Sequence, residues 1–160
     1  ARAASLTNVF WFVAIFSVFF GGWISDKLQV RKTVSIFGAI TTGVMLIILS
    51  LLPSDTSETL LIIIWGLSGI TTGFIYPAWC ALLSENAESI SSFGVGRAFA
   101  ISGIFSAIGG VFLNLGLPVI VENWGWSSWM LTAGIFCFAV AFFVAFGRGP
   151  WWVPQSKSKV

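Results

Sequence analysis

The sequence has no histidine, one tyrosine and two cysteines in 160 residues. Cys80 and Cys137 both sit inside apolar runs, where a free cysteine behaves as a small buried hydrophobe. This supply of residues disfavours a metal cluster, a disulfide framework and a histidine-assisted nucleophile. No cofactor, no metal and no catalytic residue is expected, and an enzyme reading finds no support. Charge is scarce too, at 9% Asp, Glu, Lys and Arg against roughly a quarter in soluble domains. The net charge of +2 is too small to point to a nucleic-acid partner. No stretch alternates polar and apolar residues over about ten positions, which favours helices over the strands of a membrane β-barrel. The first apolar run lacks a strongly basic leader and is followed by others, which argues against a secretory signal peptide.

What is present is apolar bulk. Hydrophobic residues make up 57% of the chain and aromatics 16%, with nine Trp and sixteen Phe. About 20 consecutive apolar residues cross a bilayer core as a helix. Five charge-free runs come near or reach that length, at about 8–24, 33–52, 60–83, 98–121 and 128–147. The expected fold class is all-α integral membrane: five transmembrane helices over residues 1–147, then a tail, 148–160. The polar breaks fall at 25–32, 53–59, 84–97 and 122–127. Asp55 and Glu58 have the spacing of a capping box, and Ser127 is placed to cap the last span. The chain begins at Ala1 with no initiator Met, so truncation upstream is expected.

Orientation follows from the basic residues, which cytoplasmic loops retain. With five spans, one face collects Lys27, Arg31, Lys32, Arg97, Arg148, Lys157 and Lys159, and the other holds only Arg2. The C-terminus is therefore expected in the cytoplasm and the chain in a plasma (inner) membrane. The tail, with Trp151-Trp152 and two Lys, is expected to anchor at the interface and pass into a disordered end.

The first break concentrates Gly22, Asp26, Lys27, Arg31 and Lys32 in a tight connection between two spans. This pattern resembles the signature of the major facilitator superfamily: Gly, three residues, Asp, a basic residue, any residue, Gly, any residue, two basic residues. It departs at Gln29, where the family usually has Gly, which leaves the turn geometry open because Gly adopts positive φ cheaply. Further along, Gly69-x-x-x-Gly73-x-x-x-Pro77, Ser84-Glu85, Gly96-Arg97-Ala98, Ser102-Gly103, Gly109-Gly110 and Gly125-Trp126 recur in the family's order and at comparable spacing. The resemblance implies a twelve-helix fold of two similar halves, of which this chain corresponds to five helices, two to six or eight to twelve. Trp65, where many first halves carry Arg, together with Gln29 and the short tail, favours the second half. Gly125-Trp126 and the well-kept basic turn favour the first, and the balance of these signs favours the second half.

By the same resemblance Gly22, Asp26, Lys27, Arg31, Lys32, Glu85 and Arg97 form an inner-gate motif that is remade during alternating access. The competing reading is that the cations fix topology and meet anionic lipid. For the substrate, Trp65, Ser68, Thr72, Tyr76 and Trp79 share one helical face at spacings of three and four. Beside them run Gly66, Gly69, Gly73 and Pro77, an edge suited to close helix contact and, at Pro77, a kink. Ser106, Gly110 and Asn114 follow at spacing four in the next span. Ser106 and Asn114 join the first five as substrate-cavity candidates; alternatively the Trp side chains are interface anchors and the polar groups bond backbone or bridge helices. No span carries a charge near its middle, so no proton carrier can be named.

The function expected is a secondary transporter, or a fragment of one, moving a small-molecule substrate, with the lipid bilayer and the remaining helices of the transporter as partners. The alternative is a non-transporting scaffold whose helices dock against a partner.

Overall fold

The structure is a computed structural model; it describes residues 2–53, 55–90, 94–149 and 151, with side chains from Asn8 onward. The described chain is helical: α1 Arg2–Leu28, α2 Arg31–Leu51, α3 Glu58–Glu88 and α4 Gly94–Ala145. Each contains a stretch long and apolar enough to cross a membrane. A helix satisfies its own backbone hydrogen bonds, which is what an apolar run in lipid requires.

Four helices stand where five spans were expected, because the last two runs join almost without interruption. Only Gly125, at φ 80° and ψ 172°, leaves helical geometry between them. At about 1.5 Å per residue, the 52 residues of α4 could not cross one bilayer core as a straight rod. They double back instead. A Cβ on Gly94 would collide with the Ala87 carbonyl near the end of α3, and Gly147, just past α4, packs beside Leu82 near that same end. The limb before Gly125 and the limb after it face each other across a groove lined by Phe112, Leu117, Trp129 and Phe136. Trp124 and Trp126 are exposed on either side of the bend, as suits aromatic residues at a membrane–water interface.

Other boundaries also shift. Asp26 and Lys27 lie inside the last turns of α1, where Lys27 complements the helix C-terminus. Asp55 is not the cap of α3. Ser57 is, accepting from the Leu60 N–H at 3.4 Å. Ser127 lies within α4 rather than capping it. The polar stretch 84–97 is helical up to Glu88 and again from Gly94, and α3 continues through Pro77.

The bundle is packed through small residues. The fully buried side chains of largest volume are Ser25, Ser35 and Ser68, while Phe19, Phe112 and Phe143 are more than 70% exposed. In lipid this inversion is expected, since tails solvate phenylalanine and backbones gain by close approach. Gly69 and Gly73 of α3 lie against Phe10, Ala14 and Ser17 of α1; a Cβ on Gly69 would stand 2.6 Å from the Phe10 carbonyl oxygen. Gly38 of α2 meets Ile75 of α3, and Gly43 of α2 meets Gly134 of α4.

The α1–α2 turn keeps the shape that a glycine would give it. Gln29 has φ 56°, the left-handed region, and its amide Nε2 donates to the Asp26 carbonyl at 2.7 Å. That conformation costs a non-glycine residue about 1–2 kcal/mol. Gln29→Gly is therefore expected to change stability by less than about 1 kcal/mol, strain relief offsetting the lost amide bond and the looser unfolded chain. Gln29→Ile, β-branched at positive φ, is expected to lower it by about 1–3 kcal/mol. Thermal unfolding of the two purified variants checks both.

Candidate functional site

Arg31 organises the end of the bundle where α1, α2 and α3 meet. Its position at the start of α2 sends the guanidinium back over the last turns of α1. Nη1 donates to Ser25 Oγ at 3.2 Å and pairs with Asp26 Oδ1. Nε reaches across to α3 and pairs with Glu85 Oε1 at 3.0 Å. One planar fork thus holds two helices besides its own. The Arg31 side chain is 12% exposed, but its partners Asp26 and Glu85 are 69% and 49% exposed. Pairs of that kind contribute about 0.2–1 kcal/mol each. The cluster is well defined in geometry yet inexpensive to open.

The rest of the charged motif divides. Gly22 lies beside Pro77 of α3, where a Cβ would stand 3.5 Å from the proline Cβ. Lys27 is exposed, its Nζ 4.9 Å from the centre of the Trp23 ring one turn earlier. Lys32 is 5% exposed and sits 4.0 Å from the ring centre of Trp151, beyond the end of α4. Arg97 is exposed on the first turn of α4 and, among the described residues, makes no ion pair with Asp26 or Glu85. Asp26, Arg31 and Glu85 are brought together; Lys27, Lys32 and Arg97 are not part of that contact. Ser25 was missed in the sequence, where a serine one position before an aspartate gives no signal.

The candidate cavity residues divide more sharply. Ser68 is wholly buried and donates to the Trp65 carbonyl at 2.7 Å. Thr72 donates to the Ser68 carbonyl at 2.7 Å and lies 3.4 Å from Thr42 Oγ1 of α2. Thr42 in turn donates to Thr71 Oγ1 at 2.9 Å, so this part of the stripe is a hydroxyl seam between α2 and α3. Trp65 packs on Phe10 of α1, ring centres 5.6 Å apart, and its indole N–H has no acceptor among the described residues. Trp79 lines a small cavity of about 300 Å³ with Leu82, Asn86 and Val144. Tyr76, 64% exposed, faces outward.

On α4, Ser106 and Asn114 are exposed, and Asn114 Nδ2 donates to the Gly110 carbonyl at 2.9 Å, within its own helix. Neither lines the groove between the two limbs, which has a volume of about 600 Å³ and is walled by apolar side chains with Thr132. Tyr76, Ser106 and Asn114 are thus the polar candidates left exposed on the bundle surface. Thr42 and Thr71 went unnoticed in the sequence because hydroxyls are common in such helices and pairing across 29 positions leaves no local pattern.

The family model of the Major Facilitator Superfamily matches residues 2–159. No curated protein and no solved structure matches the chain.

Proposed function

Because the chain belongs to the major facilitator superfamily, a family of membrane transporters, we propose that it moves a small solute by alternating access and that Arg31 is the hinge pin of its inner gate. The observation that carries this reading is the single guanidinium spanning α1 and α3 from α2. Its carboxylate partners are solvated enough to let go without a large penalty. A gate must close firmly enough to exclude water and open within the free energy that a solute or an ion gradient supplies. Two half-exposed ion pairs fall in that range.

In this reading α4 supplies two crossings, giving five in all, with the bend at Gly125 on the outer face. The basic residues Lys27, Arg31, Lys32, Arg97 and Arg148 then share the cytoplasmic side, and the C-terminus lies there, as in a plasma (inner) membrane protein. The Asn86 bond to the Arg148 carbonyl supports this, since it joins the end of α3 to the chain just after α4. Tyr76 and Asn114 are the polar contacts assigned to the solute pathway. Ser68 and Thr72 serve helix packing instead.

The test uses single cysteines at positions 72, 76 and 114, in the complete transporter freed of Cys80 and Cys137, with impermeant thiol reagents applied from either side. Positions 76 and 114 are expected to label, with a sidedness that changes when a transported solute is added. Position 72 is expected to label at least about tenfold more slowly. Absence of labelling at both 76 and 114 under every condition would remove them from the pathway.

A further inference from the structure

Beyond the gate, the chain following α4 turns back onto the charged end of the bundle. The Gly147 N–H bonds the Val144 carbonyl at 3.0 Å, closing the helix. The Arg148 carbonyl then accepts from Asn86 Nδ2 of α3 at 3.0 Å. Gly149 follows at φ 152°, so close to α3 that a Cβ there would stand 3.0 Å from Leu82 Cδ1 and 3.7 Å from Lys32 Cβ. The Trp151 carbonyl accepts from Thr33 Oγ1 of α2 at 2.5 Å. The Trp151 ring covers Lys32 Nζ at 4.0 Å. Contacts from Arg148, Gly149 and Trp151 therefore fall on α2 and α3, at residues within three positions of Arg31 or Glu85 in the sequence.

We propose that residues 146–149 with Trp151 form a strap that fastens the end of α4 to α2 and α3 and shields Lys32 from water and lipid. A lysine 5% exposed cannot meet a headgroup, so Lys32 has a different task from its neighbours Lys27 and Arg31. Its ammonium rests on an indole face, the best aromatic surface for a cation. The arrangement divides the paired cations of the motif: Arg31 holds the contacts that open, and Lys32 holds α2 and α4 together while they do. A conformational change at the Arg31 cluster is then passed to α4 as a rigid movement of its inner end.

Acylation of lysines in the complete, detergent-solubilised protein, read by peptide mass spectrometry, tests this with Lys27 as an internal standard. In the unsubstituted protein Lys32 is expected to react at least about tenfold more slowly than the exposed Lys27. Trp151→Ala removes the cover, and Gly149→Val removes the backbone conformation and the fit against Leu82; each is expected to bring Lys32 to within about threefold of Lys27. Trp151→Phe keeps a ring and is expected to retain most of the protection. If Lys32 reacts as fast as Lys27 from the start, or stays protected in both Trp151→Ala and Gly149→Val, the strap does not shield it and the proposal fails. The readout is independent of transport, so its failure leaves the gate reading standing, and failure of the gate leaves the strap.

Discussion

Gly73→Leu is expected to yield almost no folded protein, the largest stability effect of any substitution considered. A Cβ at this position would overlap Ser17 and stand 2.9 Å from the Ala14 carbonyl oxygen of α1. Neither is the far end of a flexible chain that could swing aside. The neighbouring contact, Gly69 against Phe10, is equally backbone to backbone. The helices can accept a leucine only by moving apart along the whole seam. In water a widened seam is partly offset by hydrophobic closure elsewhere; in lipid the tails solvate the separated faces, and the packing itself is the attraction that is lost. Overpacking by a few methylenes already costs about 1–3 kcal/mol in a core that can relax. Here the cost extends to most of the marginal stability of a domain. Gly73→Ala is expected to be intermediate. Gly22→Ala, whose Cβ would meet Pro77 at an ordinary 3.5 Å, is expected to fold. The fraction of monodisperse protein after solubilisation and the unfolding temperature measure all three. A Gly73→Leu protein that unfolds within about 2 °C of the unsubstituted one would show that α1 and α3 do not pack as described.

The glycines of α3 were legible in the sequence as an edge for close contact because small residues at spacing four can do little else in an apolar helix. The apolar runs were legible for a similar reason: hydropathy over 20 residues is a sum, and no tertiary detail enters it. Which face of α3 looked into a cavity was not legible. In a soluble helix the polar face meets water, but in lipid both faces are apolar, and a hydroxyl stripe can bond its own backbone and a neighbour, as Ser68 and Thr72 do. Polarity in the sequence marks the end of an apolar run and not the end of a helix. Glu85 and Glu88 are polar, yet α3 continues through them. The polar stretch 122–127 predicts a six-residue turn, whereas Gly125 alone leaves helical geometry. The return of Trp151 to Thr33 spans 118 positions and left no local pattern.

Arg31→Glu is expected to abolish solute movement, by at least about tenfold, while leaving a protein that folds. The two effects separate because the Arg31 contacts are geometrically central but individually weak. Loss of two half-exposed pairs removes about 0.2–1 kcal/mol each, a shift of a few degrees in unfolding temperature. A carboxylate at position 31 adds more than loss, since it faces both Asp26 and Glu85 and repels them, so α1 and α3 are driven apart at the end they share with α2. The inner side then cannot close, and a carrier open on one side does not cycle. Arg31→Lys is expected to be intermediate, because a point charge on a single ammonium cannot span two carboxylates on different helices as the guanidinium fork does. The charge-exchanged pair Arg31→Glu with Glu85→Arg restores the link between α2 and α3 but leaves Asp26 facing a like charge, and is expected to recover only part of the rate. Topology is preserved throughout, since Lys27, Lys32, Arg97 and Arg148 still mark the same face. Uptake into proteoliposomes and unfolding temperature, measured on the same preparations, separate the outcomes. Normal uptake by Arg31→Glu would remove Arg31 from the gate, and loss of uptake together with a collapse of the unfolding temperature would make it a structural residue.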